Sequence, residues 1–298
     1  MLTAALRPEP TALSPLLEAV AGHHGRPSNL NIAAERYTIL KRVGAEAQLD
    51  AASLIGAFLD LWPEASLQGL TKVAALRLSW WLPGLTAAAD WIGSNPDWFP
   101  PSDTPFSLAD YLARARAQAA RAVSLAGLNG AKVSGAEFLS LPSLRPMQAT
   151  CAAIDLPTGP MLAVIEDETG SGKTEAALLL AQRMLLAGKG RGLFFALPTM
   201  ATADSMFIRS ARPLRRMFLG EPTLTLAHGR AALSETFRSF VERPANAPED
   251  PGCTEWLAES RRRALLADIG VGTIDQALLS ALPVKWQTLV TSPASGCE

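Results

Sequence analysis

The hydrophobic pattern changes character part-way along the chain. Up to about residue 125, apolar positions recur at helical spacing in stretches rich in Ala and Leu. Helices are predicted at 15–20, ending at Gly22, and at 32–42, 45–61 and 67–81, with Pro63 and Pro83 as breaks. The stretch 95–105, NPDWFPPSDTP, reads as a loop, and 107–125 as a helix with Ser107 as its N-cap. Nothing in this part alternates with period two, so it is expected to be an all-α unit. From Leu162 onward the pattern differs. Short apolar runs at 162–165, 192–197, 224–227 and 269–272 read as buried strands. Between them lie helical stretches at 175–186, after PTMATADSMF with Thr202 or Asp204 near the start, at 256–267 and at 273–282. Residues 240–254 carry three prolines and read as a loop. Strands alternating with helices predict a parallel sheet covered on both faces, with ligands bound at the strand C-terminal ends.

The segment between these regions, LSLPSLRPMQAT, reads as an extended connector, and RPMQ begins a helix running to 154. The expected division is therefore 1–125, a connector at 126–160, and 161–298.

The most informative stretch is LAVIEDETGSGKTE, 162–175. A strand, a glycine loop, Gly-Lys-Thr and a helix follow in the order of a phosphate-binding loop. Glycines let backbone N–H groups close around phosphate oxygens with no Cβ in the way. The helix N-terminus adds partial positive charge. The candidate nucleotide-binding residues are Thr169, Gly170, Ser171, Gly172, Lys173 and Thr174. Lys173 suits the β/γ-phosphates and the Thr174 hydroxyl suits Mg²⁺, so ATP and Mg²⁺ are the expected cofactors. The motif has a glycine five positions before Gly172, where this chain has Asp167, followed by Glu168. The plain alternative is a glycine turn before a helix that happens to carry Lys-Thr.

Composition narrows the classes. At 298 residues, with 48% hydrophobic and 18% charged residues, the chain suits two globular domains. A net charge of −1 excludes a global basic field, so any nucleic-acid contact has to be local. Cys151, Cys253 and Cys297 are far apart and form no Cys-x-x-Cys pair, which fits a reducing cytoplasm. The start, MLTAALRPEP, is not a secretory signal, and the most apolar region, 73–89, is interrupted by Arg77 and Pro83, so no membrane span is expected.

Two further clusters carry candidate chemistry. His23 and His24 sit in the turn GHHGRP, and Asp90 in ADWIGSN. Adjacent histidines at a helix end can point to two neighbouring metals, although most such pairs are surface residues. Arg209, Arg212, Arg215 and Arg216 form either an attractive patch for an anion or a solvated basic face. His228 reads as a core or loop histidine with no catalytic role.

GHHGRP, ADWIGS, ETGSGKTEAALLLA, LPTMATADSMF, LAHGRAAL and VGTIDQALL together resemble the CRISPR-associated helicase–nuclease, the signature effector of type I CRISPR systems. The resemblance runs to about Leu289. It implies an HD nuclease domain followed by a superfamily 2 helicase with RecA-like α/β domains. The first unit would then be a partial HD domain, and 161–298 a truncated first RecA-like domain. In that family His23, His24 and Asp90 correspond to ligands of divalent transition-metal ions, and Gln148 to the residue that recognises the adenine edge. The strand-end loops of such helicases grip single-stranded DNA. The resemblance thereby assigns Thr199, Thr202, Thr273 and Asp275 to phosphate contact, with Gln276 behind them. They are equally ordinary helix caps. The implied partners are single-stranded DNA and a CRISPR RNA-guided surveillance complex.

The family's His-Asp dyad would lie upstream of Met1, and its Asp-Glu-x-His box and second RecA-like domain beyond Leu289. The chain is therefore expected to be a fragment lacking both ends, with no competent nuclease. It is expected to bind nucleotide without helicase-like hydrolysis. Two functions follow: part of an ATP-dependent DNA translocase and metal-dependent nuclease of antiviral defence, or an inactive remnant that still binds nucleotide and, weakly, DNA. An unrelated P-loop NTPase or kinase would leave VGTIDQALL and GHHGRP without a place.

Overall fold

The computed structural model describes residues 6, 11–22, 41–101, 107–241, 253–261 and 263–281. The described residues fall into two compact units, one up to Ala122 and one from Val123 to Ala281. The first is helical and the second is α/β with a parallel sheet.

In the helical unit, α1 (Leu13–Ala21) packs against α3 (Lys72–Gly93), and α2 (Ala45–Leu61) lies between them in sequence. The helix expected at 32–42 falls almost wholly outside the described residues. The break expected at Pro83 does not occur, and α3 runs straight through it for 22 residues. Proline removes one N–H from the ladder and crowds the preceding turn. Here Pro83, Gly84, Ala75 and Ala87 are all buried, so the small apolar face of α3 is used for packing. On either side of the proline, hydroxyls bond the helix backbone: Ser79 Oγ donates to the Leu76 carbonyl at 2.8 Å and Thr86 Oγ1 to that of Leu82 at 2.8 Å. The start of α3 is capped by Thr71, whose hydroxyl accepts from the Ala74 amide at 3.3 Å. The helix α4 (Leu108–Leu125) begins as expected at Ser107, whose Oγ accepts from the Asp110 amide at 3.1 Å.

The α/β unit holds three parallel strands in the order β2 (Leu193–Leu197), β5 (Ile269–Thr273), β4 (Leu224–Ala227). A small antiparallel pair, β1 (Lys132–Val133) with β3 (Phe218–Leu219), ties the connector to this unit. The connector has too little periodicity to announce a strand; two residues pair only because the Met217 carbonyl and Phe218 lie alongside.

Central β5 is buried throughout, as is β4, whereas β2 is only half-buried. The apolar run at 192–197 does form a strand, but among the described residues it is an edge, so its burial is incomplete. The helix α7 (Met200–Arg216) crosses the sheet. Phe207 of α7 meets Phe237 and Phe240 of α8 (Glu235–Val241) edge-on at 5.6 and 5.2 Å. A fully buried phenylalanine contributes about 2–3 kcal/mol of hydrophobic stabilisation, more with such aromatic neighbours.

The junction before β5 is held by Asp268. Its carboxylate accepts from the Ala131 amide at 2.9 Å, the Thr223 amide at 2.9 Å and the Thr223 hydroxyl at 3.1 Å. The connector and the start of β4 are thereby fixed to β5.

Two sequence expectations fail here. The segment 162–165 forms no strand. Met161 and Ile165 pack on Cys151, Ala176 and Leu180, while the three residues between them are exposed, Leu162 at 91% and Val164 at 76%. A strand exists only through its ladder partners, and no described strand lies beside this segment. The helix expected at 256–267 is a single turn, α9 (Glu255–Ala258), followed by a 3₁₀ turn at Arg263–Leu266. Arg263 folds back over the Trp256 ring at 4.8 Å and pairs with Glu259 at 2.6 Å. The Ala264 carbonyl accepts from Thr225 Oγ1 at 2.6 Å, which draws this turn onto β4.

Candidate functional site

The glycine loop leads into α6 (Lys173–Leu186). Gly170 and Gly172 have φ of 82° and 93°, values that only glycine adopts freely. A Cβ on Gly172 would also collide with the Gln148 amide. Lys173 does not reach outward. Its Nζ donates to the carbonyls of Asp167 at 2.7 Å and Glu168 at 2.5 Å. Ser171 Oγ is buried with no hydrogen-bond partner, the kind of polar atom a phosphate oxygen would satisfy. Thr169 is exposed, and Thr174 is half-buried in the first turn of α6.

The loop is held from outside by the helix α5 (Pro146–Ala153). Arg145, its N-cap, donates from Nη1 to the Gly170 carbonyl at 2.6 Å. Gln148 is 3% exposed, and both ends of its amide are engaged. Oε1 accepts from the Arg145 amide at 3.0 Å, and Nε2 donates to the Gly172 carbonyl at 3.3 Å. One N–H and one lone pair are left for a base. Behind them α5 and α6 share the cluster Cys151, Ala176 and Leu180, and Arg183 donates to the Cys151 carbonyl at 3.0 Å. Gln182 fastens α6 to the connector through the carbonyls of Ser134 at 2.7 Å and Ala136 at 2.9 Å. The residues present fit a nucleotide's phosphates: an unsatisfied hydroxyl, two left-handed glycines, a lysine and a helix start converge there.

The second candidate feature is the edge where the parallel strands end. The register pairs Leu197 with Thr273 and Ala227 with Gly272, so the three chains leave the sheet at one level. At the first exit Thr199 caps α7, with Thr202 in the first turn and Asp204 in the second. The Thr199 hydroxyl accepts from the Thr202 amide at 3.2 Å, and Thr202 Oγ1 accepts in return from the Thr199 amide at 3.2 Å. Thr202 Oγ1 donates its own proton to the Thr199 carbonyl at 2.8 Å. At the second exit Thr273 is buried, and its hydroxyl bonds the carboxylate of Asp275 in the first turn of α10 (Ile274–Ala281). That bond, foremost, holds Asp275 below the usual carboxylate range, helped by Gln276 Nε2 at 2.7 Å. The threonines are thus spent on caps and on Asp275. What they leave to face an anion are the first-turn amides of the helices they begin.

The third exit holds a residue whose part was not foreseen, His228. It is buried and bonds Asp204 of α7. The available signal was a histidine directly after a strand, with an acid five positions after a cap threonine.

The metal candidates divide. His23 and His24 lie outside the described residues. Asp90 lies near the end of α3, half-buried, and its carbonyl accepts from the Ser94 amide at 2.9 Å and Ser94 Oγ at 2.6 Å. Among the described residues no three His, Cys, Asp or Glu gather as a metal site. Cys151 and Cys253 are free thiols. None of the described helices is long and apolar enough to cross a membrane.

Comparison with known proteins converges on one family. Residues 1–99 match the Cas3 HD domain. The chain is 31% identical over 300 residues to the CRISPR-associated endonuclease/helicase Cas3 of Escherichia coli, covering 91% of this chain and 32% of that protein. It is 35% identical over 298 residues to the Thermus thermophilus protein of the same name, covering 92% of this chain and 31% of that one. Its fold superposes on the crystal structure of T. fusca Cas3 with ADP at a TM-score of 0.71 and 28% identity, over 94% of this chain and 32% of that one. The form with ATP gives 0.68 at 30% identity, over 91% of this chain and 30% of that one. The chain spans about a third of the length of the curated relatives it matches. Sequence and fold agree across both units, and the chain is a relative of the CRISPR-associated Cas3 endonuclease/helicases.

Proposed function

We propose that this chain carries the nucleotide-binding loop and one wall of the single-stranded DNA path of a Cas3-type helicase–nuclease acting in CRISPR defence. In this reading 161–298 is the first part of a RecA-like domain with a P-loop, and 1–125 the HD-type unit. The observation that carries it is the loop 166–172 with Lys173, where two left-handed glycines, an unsatisfied Ser171 hydroxyl and the start of α6 meet. T. fusca Cas3 has been crystallised with both ADP and ATP, which supports a nucleotide at the corresponding loop.

The chain's own residues then act as follows. Lys173 releases the carbonyls of Asp167 and Glu168 and turns to the β/γ-phosphates, because a triphosphate is a stronger partner than two neutral carbonyls. The amides of the loop and of the first turn of α6 take the remaining phosphate oxygens. Thr174 supplies the hydroxyl for Mg²⁺, which neutralises phosphate charge when bound. Gln148 keeps the loop in shape and offers its spare N–H and lone pair to the adenine edge. The exits of β2 and β5, with Thr199, Thr202, Thr273 and Asp275, present helix-start amides to a DNA backbone, gripping it without reading sequence. His23, His24 and Asp90 belong to the metal-dependent nuclease of the HD unit, whose partner is a CRISPR RNA-guided complex.

A second reading is that the chain binds nucleotide without turning it over. The position of Lys173 favours it, since the ammonium is engaged by its own loop beside the acidic pair Asp167 and Glu168. Titration of a fluorescent ATP analogue, followed by a phosphate-release assay with oligothymidine present, tests both. Binding that disappears in Lys173→Ala supports the loop, and no binding by the wild-type chain overturns the proposal. Turnover near one per second that is lost in Lys173→Ala overturns the second reading.

A further inference from the structure

His228 leaves β4 level with Thr273 in the sheet register and is 2% exposed. The Arg230 amide donates to its Nδ1 at 3.2 Å. A ring nitrogen that accepts cannot also carry a hydrogen, so the neutral ring bears its proton on Nε2. That proton is donated to Asp204 Oδ1 at 3.2 Å. Asp204 stands in the second turn of α7, the helix that Thr199 and Thr202 cap after β2. Strands β2 and β4 are not neighbours, because β5 lies between them. The imidazole therefore links the loop following one outer strand to the helix following the other, across the end of the central strand.

The backbone ladder does not make this link. It fixes the strands against one another but makes no hydrogen bond to the first two turns of α7, whose far end is tied to the connector through the Met217 carbonyl and β3. The buried face of α7 is Ala203, Phe207, Ser210 and Leu214, and Ser210 Oγ bonds within the helix, so this face adds only non-directional contacts to the sheet. A histidine buried only for packing would be more cheaply replaced by an aliphatic residue, since every buried polar atom needs a partner. Here both ring nitrogens have one, and the two partners belong to the two elements that would face a DNA backbone.

We infer that His228 is a positioning residue for the nucleic-acid strand. It sets the spacing between the first turn of α7 and the Gly229–Arg230 loop, so that amides on both meet phosphates of one strand together. The inference rests on the proposed role of the strand-end edge. Misplacement of such groups by as little as 1 Å can lower binding or rate strongly.

The test compares four single variants and one double variant of the full chain by fluorescence anisotropy with labelled oligothymidine, with ATP-analogue affinity measured on the same preparations. Asp204→Ala and Asp204→Asn remove the same charge, but only the asparagine keeps an oxygen that can accept from Nε2. Asp204→Ala is expected to bind the oligonucleotide about tenfold more weakly than Asp204→Asn, a difference of about 1.4 kcal/mol. His228→Leu is expected to fall with Asp204→Ala, and the two together to be no worse than either. His228→Gln, which returns an amide donor toward Asp204, is expected to recover most of the loss. Hydrogen exchange at 200–204 and 229–231 should rise in His228→Leu and Asp204→Ala, while ATP-analogue affinity holds. Equal oligonucleotide binding by Asp204→Ala and Asp204→Asn overturns the inference, and because Asp204 is partly exposed this pair decides even where His228→Leu fails to fold. If the wild-type chain does not bind oligothymidine at all, the DNA-path reading itself fails, and the inference with it.

Discussion

The glycine loop and the strand-end edge are both candidate anion sites, yet they are held in opposite ways. The strand-end edge takes its geometry from main-chain ladders. Leu197 is level with Thr273 and Ala227 with Gly272 because parallel strands in register leave no other arrangement. Its side chains only trim the exits, as caps or through the His228–Asp204 bond. The glycine loop has no ladder at its entry, since 161–168 pairs with no described strand. Side chains do the holding instead: Arg145 on the Gly170 carbonyl, Gln148 on that of Gly172, Lys173 on those of Asp167 and Glu168. Ladder bonds are many and cooperative, whereas four side-chain bonds can be exchanged one at a time. The first region should therefore be stiff, and the second should change shape on meeting a ligand.

The sharpest way to break the strand-end side is Gly272→Val. A Cβ there would run into the Ala227 carbonyl, and no flexible side chain is available to yield. We expect a loss of about 3 kcal/mol or more, enough to unfold the α/β unit partly, read by urea unfolding. A variant that melts like wild type would show that the ladder is looser than its register implies.

The loop side is sharpened by Gln148→Ala, where we expect about tenfold weaker nucleotide binding. If Gln148 mainly holds the loop, affinities for ATP and GTP analogues should fall together. If it mainly reads the base, the ATP analogue alone should suffer.

Smaller effects concern single protons. The Thr273 hydroxyl holds the Asp275 carboxyl below its usual range. A carboxyl depressed in the folded state stabilises the fold above its unfolded range, and that contribution is lost as pH falls through the folded value. Thr273→Val should move the Asp275 titration up toward the ordinary range, followed by carboxyl NMR. The contribution to stability should be slight, because Asp275 is mostly exposed.

The smallest effect is chemical. Burial pushes the Cys253 thiol up to about 12. A thiol raised in this way favours the folded state below its unfolded range, and the benefit is lost as pH climbs toward 12. Cys253 should thus resist a disulfide reagent at pH 8 in the native chain and react once urea is added. Rapid native reaction would show that the thiol is reached without unfolding.

Several features were determined by the sequence alone. Helical spacing with the Ser107 cap made the first unit α-helical, and Gly-Ser-Gly-Lys-Thr before an apolar helix marked the loop at 169–174. Short apolar runs bounded by glycine and proline located β4, and β2 and β5 each within a residue. These are local matters of dihedral freedom, capping and period, which a few neighbouring residues settle. Tertiary structure decided the rest. Pro83 reads as a break, but burial beside Gly84 and Ala87 keeps α3 whole. The run 162–165 reads as a strand, but a strand needs a partner and none is described beside it. The resemblance assigns Gln148 to the base, and only the fold adds the bond from its amide to the glycine loop 24 residues away. His228 and Asp204 read as unrelated residues, and only the packing of α7 across the sheet brings them to 3.2 Å. For Gln148 and for His228 with Asp204 the partner lies 24 residues away, so its contribution is invisible until the chain has folded.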